Sequence, residues 1–354
     1  MGKNKHDNSR SKQMRIIIVG EFYEESFAQH ILENFQHLNH ETKSFSMIPN
    51  TSFISILNNA FIKKFYYYLD QIVFSRIRKI RNFKLAKLLN VIRDFQPDLI
   101  LLTYDYLYAD QVEEIKKSYN GKIVMWSPDS LATVASGKSH FLNSAYDHLF
   151  FKDKFIVNNL VNTLSLNAHY LPECFNHYTH KFNGSIEDKY KADITTAGNL
   201  HSYRVAFFRN LVNEKYKITI WGYDAPNWLN SNDVRKFYQG RPVFNEEKAK
   251  VFLGSKIVLN NLLISEIEGV NVRTFEAAGI GAFQLVDHRS CLEDLFEVGE
   301  EIITFNGMND LKEKIEFYIS RPDLRYQIAE KAKIRALQDH TYEVRLKQML
   351  DIIF

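Results

Sequence analysis

Short apolar runs bounded by polar turns recur along this chain and alternate with segments of helical periodicity, and that alternation constrains the fold more than any other feature. In the first half the runs are MRIIIVG (14–20), DLILLT (98–103), GKIVMW (121–126) and DHLFF (147–151). Runs of this length, dense in Ile, Val, Leu and Phe, belong to strands buried on both faces. Strands spaced by helices pair in parallel with helices on both sides of the sheet, an α/β arrangement of Rossmann type. The first strand exits into GEFYEESF and not G-x-G-x-x-G, so the dinucleotide fingerprint is absent and a nicotinamide or flavin enzyme is not expected.

The strand-poor stretch YLPECFNHYTHKFNGSIEDKYK follows, and then the pattern resumes with ADITTAG (192–198), KITIWG (217–222), KIVLNN (256–261), GAFQLV (281–286) and EIITF (301–305). Helices are expected from Ser202, Asn245, Val272 and Asn309, and from Pro322 to Phe354. A chain of 354 residues exceeds what one hydrophobic core usually supports. The expected organisation is a disordered tail over 1–13, an acceptor-side Rossmann-like domain over 14–172 and a linker over 173–190. A second Rossmann-like domain over 191–335 faces the first across a cleft, and a C-terminal helix over 336–354 returns to the first domain.

The net charge is +3, from 45 Lys plus Arg against 42 Asp plus Glu, so nothing global calls for a nucleic-acid partner. Cys174 and Cys291 match no metal or redox spacing, which fits a reducing compartment; Cys291 reads as buried. No apolar run reaches the roughly 18 residues of a spanning helix, and MGKNKHDNSRSKQ has no hydrophobic signal core. It also carries His6 where a myristoylation signal needs Ser or Thr. A cytoplasmic protein is expected.

ISEIEGVNVRTFEAAGIGAF (264–283) sets Glu268 and Glu276 with seven residues between them, among three of only 14 glycines, Gly269, Gly279 and Gly281. A parallel sheet opens its ligand crevice beyond the carboxyl ends of its strands, and KIVLNN followed by this stretch reads as strand, loop, helix. Asn271 suits the N-cap, leaving the amides of Val272, Arg273 and Thr274 for an anion. Glu268 can accept from sugar hydroxyls, and Glu276 can grip a ribose diol with both oxygens.

EGVNVRTFE resembles the E-x7-E donor motif of retaining glycosyltransferases with the GT-B fold. The longer run from Glu268 through Arg325, with HTYEVRLKQML after it, resembles the CgeB-like (spore maturation) branch of group 1 glycosyltransferases. The likeness covers roughly residues 190–350, with echoes at WSPDS (126–130) and FFKDKFIVNNLVNTLSLNAHYLPECFN. It implies sugar transfer from a nucleoside-diphosphate sugar, with no cofactor, no required metal and retention of configuration. In that reading Glu276 binds the ribose and Glu268 the donor sugar. Gly269, Val270, Asn271 and Val272 offer amides to the sugar or β-phosphate. Gly198 and Asn199 join the donor side, and Arg204 faces the diphosphate. Many group 1 enzymes carry an Arg and Lys pair where this chain has Asn199 and His201 near Arg204. No Asp-x-Asp pair sits at a strand end, and no strong general base is evident.

Other residues stay open at this point. Tyr223 and Trp228 could stack on a base, although core packing is the plainer role in a chain with 14% aromatics. Asp129 in WSPDS could polarise an acceptor or simply form a turn. His140 reads as a surface residue and His340 as a structural one. The acceptor, whether glycan, lipid-linked glycan, protein or small molecule, is unspecified, and an epimerase or a non-catalytic sugar-nucleotide-binding protein on the same fold are the rivals. Residues 61–93 hold nine bases against Asp70 alone. They read either as ordinary helices with solvated bases or as a surface for an anionic inner membrane leaflet or polyanionic acceptor.

Overall fold

The computed structural model describes residues 13–47, 77–130, 139–211 and 215–354. The chain forms two compact units: one takes in residues up to 22, 26–125 and 140–147, the other residues 23–25, 126–139 and 148–354. Residues 23–25, 126–139 and 148–172, expected in the first domain, fall in the second unit. The 1–13 tail, apart from its last residue, falls outside the described residues, as do 61–76 of the basic segment.

The first sheet has the order β2-β1-β3-β4-β5-β6, built from β1 (Arg15–Val19), β2 (Glu41–Phe45), β3 (Leu99–Leu102), β4 (Lys122–Ser127), β5 (His148–Phe151) and β6 (Ala168–Tyr170). The apolar runs account for β1, β3, β4 and β5. Ile16 to Val19 and Leu99 to Leu102 are fully buried, and β1 pairs in parallel with β3, Ile17 opposite Ile100. Two strands were not expected. ETKSF of β2 is an edge strand whose largely solvent-facing residues need no apolar run, and the three residues of β6 are too few to show a period.

The second sheet has the order β11-β10-β9-β7-β8, from β7 (Ala192–Ala197), β8 (Ile218–Trp221), β9 (Ser255–Asn260), β10 (Gln284–Asp287) and β11 (Ile303–Phe305). Its pairings are parallel, with Ile194 opposite both Ile218 and Ile257. Helices open at Ser202, Asn245 and Val272 as expected, and the next opens at Gly307, two residues before Asn309. β10 starts three residues later than the run GAFQLV. Gly281, at φ +84°, ends helix Val272–Ile280, and the amides of Gly281 and Ala282 return to the carbonyls of Ala278 and Ala277 at 2.9 Å.

Chain order places β8 on one side of β7 and β9 on the other. Loops leaving β7 and β9 therefore diverge to opposite faces, which opens a crevice at their carboxyl ends.

The C-terminal stretch is two helices, Pro322–Asp339 and Tyr342–Ile353, broken at His340 and Thr341. Thr341 Oγ1 caps the second helix by accepting from the Val344 amide at 3.4 Å. His340 lies against the rings of Phe275 and Phe296, with Nε2 2.7 Å from the Leu295 carbonyl oxygen and Nδ1 2.6 Å from Arg345. Its role is structural, as expected. Helix Arg78–Phe95, in the other unit, buries Leu85, Leu88 and Ile92 and exposes Lys79, Lys87 and Arg93, the arrangement of an ordinary amphipathic helix. Among the described residues no helix is long and apolar enough to cross a membrane.

Candidate functional site

Two arginines meet at the carboxyl ends of β7 and β9. Arg204, on helix Ser202–Leu211, is 5% exposed, and its Nε and Nη1 have no hydrogen-bond partner. Arg273, in the first turn of helix Val272–Ile280, donates from Nε to the Ala197 carbonyl and from Nη1 to Asn260 Oδ1 at 2.9 Å. Neither guanidinium has a carboxylate within ion-pair distance among the described residues. Burial, then the neighbouring Arg273, push the Arg204 pKa down, with Glu266 opposing. Both arginines turn toward Gly198, where a Cβ would fall under 3.0 Å from Arg204 Nη1 and Arg273 Nη2. Unpaired buried charge costs several kcal/mol, so this arrangement is built to meet an anion.

Asn260 at the end of β9 ties the surroundings together. Its Oδ1 accepts from Asn271 Nδ2 at 3.0 Å as well as from Arg273, and its Nδ2 donates to Thr274 Oγ1 at 2.9 Å. Asn271 occupies the N-cap position, but its side chain serves Asn260 and makes no cap bond. Asn261 is 2% exposed with both side-chain polar atoms unpartnered.

Glu276 lies one turn further along the helix, buried, with Oε1 accepting from Lys248 Nζ at 2.8 Å and standing 3.6 Å from His180 Nε2. One of its two oxygens is thus already engaged, which departs from a grip through both. Glu268 is half-exposed and its carboxylate forms no ion pair among the described residues. Its loop is fastened through the backbone: Asp153 Oδ2 accepts from the amides of Ile267 and Glu268 at 3.0 and 3.1 Å, and the Glu268 carbonyl accepts from the Lys154 amide at 3.2 Å. Gly269 has no room for a side chain, since a Cβ would stand 2.8 Å from the Lys152 carbonyl oxygen. Val270 is 1% exposed and packs in the core with Phe275, so only its backbone can serve a ligand, whereas Val272 is half-buried at the first helical position.

A buried ion cluster supports the same loop. Lys152 Nζ donates to Glu266 Oε1 at 2.8 Å and Glu173 Oε2 at 3.0 Å, while Glu266 Oε2 accepts from the Leu263 amide at 2.9 Å. Burial alone would lower the Lys152 pKa, but Glu173 and Glu266 outweigh it and raise it; burial pushes Glu173 up to about 7 against Lys152. Asp129 is half-buried beyond β4, its carboxyl raised by burial and opposed by Lys152. Its neighbour Ser130 meets Ser265 with 2.9 Å between hydroxyls. Cys174 and Cys291 are buried free thiols.

Tyr223 and Trp228 are 60% and 78% exposed, so the core-packing expectation fails: in the segment after β8, Ala225 and Leu229 supply the core contacts instead. The Tyr223 amide donates to Asn199 Oδ1 at 3.4 Å, linking two exposed loops. His140 opens a short 3-10 turn in the other unit, where its ring lies on Tyr108 and its amide donates to Asp105.

Residues 204–351 match the family described as Glycosyl transferase-like, a span that includes Arg204, Arg273 and both glutamates. This part of the chain is a glycosyl transferase-like domain. A curated relative, the spore protein CgeB of Bacillus subtilis (strain 168), is 27% identical over 177 residues, covering 46% of this chain. The match takes in about half the length of that relative, 54%. With the family match, it supports the CgeB-like, group 1 assignment of the glycosyl transferase-like domain. Solved structures share the fold along nearly the whole chain. Sucrose-phosphate synthase from Thermosynechococcus elongatus has a TM-score of 0.68 at 8% identity, covering 96% of this chain and 98% of its own. Anabaena HepE in complex with UDP and glucose has a TM-score of 0.62 at 12% identity, covering 96% and 99%. An OtsA apo structure has a TM-score of 0.63 at 12% identity, covering 96% and 99%. These likenesses give the chain the GT-B fold, and the residues matched by the glycosyl transferase-like family hold β8 to β11 of the second sheet.

Sequence reading named Arg204, Asn199 and the E-x7-E loop, with Arg273 only for its amide, but missed the Arg273 guanidinium, Asn260, Asn261, Lys152, Glu173, Glu266, Lys248, His180 and Glu25. Position held a signal for some: Asn260 ends a strand, and Asn261 and Lys152 each directly follow one.

Proposed function

We propose that this protein transfers a sugar from a nucleoside-diphosphate sugar to an acceptor nucleophile, without a metal ion and with retention of configuration. The observation that carries the proposal is the buried, carboxylate-free pair Arg204 and Arg273 around Gly198, beside the start of helix Val272–Ile280. Two fixed guanidiniums and a helix N-terminus suit a diphosphate, whose negative charge grows as the bond to the sugar breaks. Arg273 supplies the second cation that Asn199 and His201 do not. HepE structures with UDP and UDP-glucose support a uridine nucleotide as the first donor to try.

In the reaction the bond between the anomeric carbon and the β-phosphate oxygen breaks, its electron pair leaving with the diphosphate. The acceptor oxygen bonds the same carbon from the same face, and its proton passes to the departing phosphate oxygen. Arg204 and Arg273 stabilise the leaving group, and the amides from Gly269 to Val272 help orient the phosphate and sugar. Glu276 accepts from the ribose through Oε2, and Glu268 accepts from the donor sugar. Asp129 lies on the acceptor side, and the exposed ring of Tyr223 is offered to the base. The acceptor is a glycan, lipid-linked glycan, protein or small molecule, with a cytoplasmic or inner-leaflet location through the basic segment.

A panel of sugar nucleotides incubated with the protein and candidate acceptors in EDTA tests this. Release of nucleoside diphosphate with a glycosylated acceptor is expected. A new sugar nucleotide without release points to an epimerase, and neither product points to a binding protein.

A further inference from the structure

Glu25, His180 and Glu276 bring three ligand atoms within 4.8 Å of one another. Glu25 Oε1 lies 2.8 Å from His180 Nε2, and Glu276 Oε1 lies 3.6 Å from the same nitrogen. Ligands around a divalent ion at about 2.0–2.2 Å stand roughly 3.3–3.6 Å apart, so the spacing is close to that of a metal centre. Lys248 Nζ is placed among them, donating to Glu276 Oε1 at 2.8 Å and to Glu25 Oε2. Side chains of all four residues are no more than 10% exposed.

The backbone is shaped around this cluster. Glu25 at φ +60° and Asn245 at φ +48° both sit in the left-handed region, and the Asn245 amide donates to Glu25 at the start of helix Asn245–Leu253, which carries Lys248. Conformations of that kind persist where surrounding structure enforces them. Burial would raise the Glu25 carboxyl, yet His180 and Lys248 hold it down at about 2, so its oxygens remain acceptors.

We propose that Lys248 is a built-in cation: its ammonium occupies a three-ligand metal position formed by Glu25, His180 and Glu276, and a chain lacking that ammonium binds a divalent ion there. The lysine fixes Oε1 of Glu276 and leaves Oε2 for a ligand, a consequence that rests on the donor reading above. The metal position itself does not rest on that reading.

Calorimetric titration with zinc in metal-free buffer, with no nucleotide present, tests the inference. Lys248→Ala is expected to gain one zinc site, bound at least about tenfold more tightly than any site of the unaltered protein. Adding Glu25→Gln to that variant removes the site, and Lys248→Arg, which keeps the charge, does not form it. If Lys248→Ala unfolds without metal, zinc restores its near-ultraviolet circular dichroism. Zinc binding by Lys248→Arg equal to that of Lys248→Ala, a folded Lys248→Ala with no added site, or a Lys248→Ala that zinc fails to refold each overturns it.

Discussion

Gly198 and Arg204 are in contact so close that Gly198 has room only for hydrogen: a Cβ there falls under 3.0 Å from Arg204 Nη1. Gly198 also sits at φ +149°, where side chains are strained. Gly198→Ala is therefore expected to lower stability by about 1–3 kcal/mol in urea unfolding. It should also weaken diphosphate binding while leaving the affinity for the bare nucleoside unchanged. Equal losses for nucleoside and diphosphate would place the damage elsewhere.

Arg204→Ala is expected to act on turnover more than on donor affinity, since its charge complements a leaving group most negative in the transition state. A fall in kcat of about a hundredfold is the scale for one lost donor at such a charge. Steady-state kinetics read it, and a pure rise in KM would argue against the assignment.

Removing the Glu276 carboxylate with Glu276→Ala should weaken nucleotide binding by about 1.5–3 kcal/mol, roughly ten- to a hundredfold in Kd. Part of the loss is indirect, because Lys248 and His180 are left facing Glu25 alone. A 2′-deoxyribose nucleotide should show a smaller penalty than the parent nucleotide. Identical penalties would remove the ribose from the assignment.

Glu173 shares Lys152 with Glu266, and burial raises its carboxyl to about 7 from an ordinary 4.5. The native state then holds the proton more tightly than the unfolded chain, so raising the pH from about 5 through about 7 removes stability. Glu173→Gln is expected to erase that dependence and to gain on the original protein by on the order of 1–3 kcal/mol at pH 8 relative to pH 5. Parallel unfolding curves at the two pH values would show that Glu173 ionises normally.

The second sheet was legible because its strands are dense apolar runs and its helices begin at residues with clear starting signals, as at Ser202 and Val272. β2 and β6 were not, since an edge strand and a three-residue strand carry no periodic pattern. Glu268, Glu276 and Arg204 could be named because one short motif and one helix start hold them. Arg273 lay inside that motif but was read only for its backbone amide; its side chain is held by the Ala197 carbonyl and by Asn260, at the ends of two strands that only the fold brings side by side. Lys248, His180 and Glu25 come from three separate segments, and only folding brings their charges together.

Calorimetric titration of a nucleoside diphosphate against the intact protein and against Arg204→Ala and Glu276→Ala, in EDTA, is the most direct test of a nucleoside-diphosphate-sugar site at the ends of β7 and β9. The proposal predicts metal-independent binding of at least one nucleoside diphosphate, with affinity reduced by both substitutions, more steeply for Glu276→Ala. No binding by any nucleoside diphosphate, or binding that ignores both residues, would contradict it.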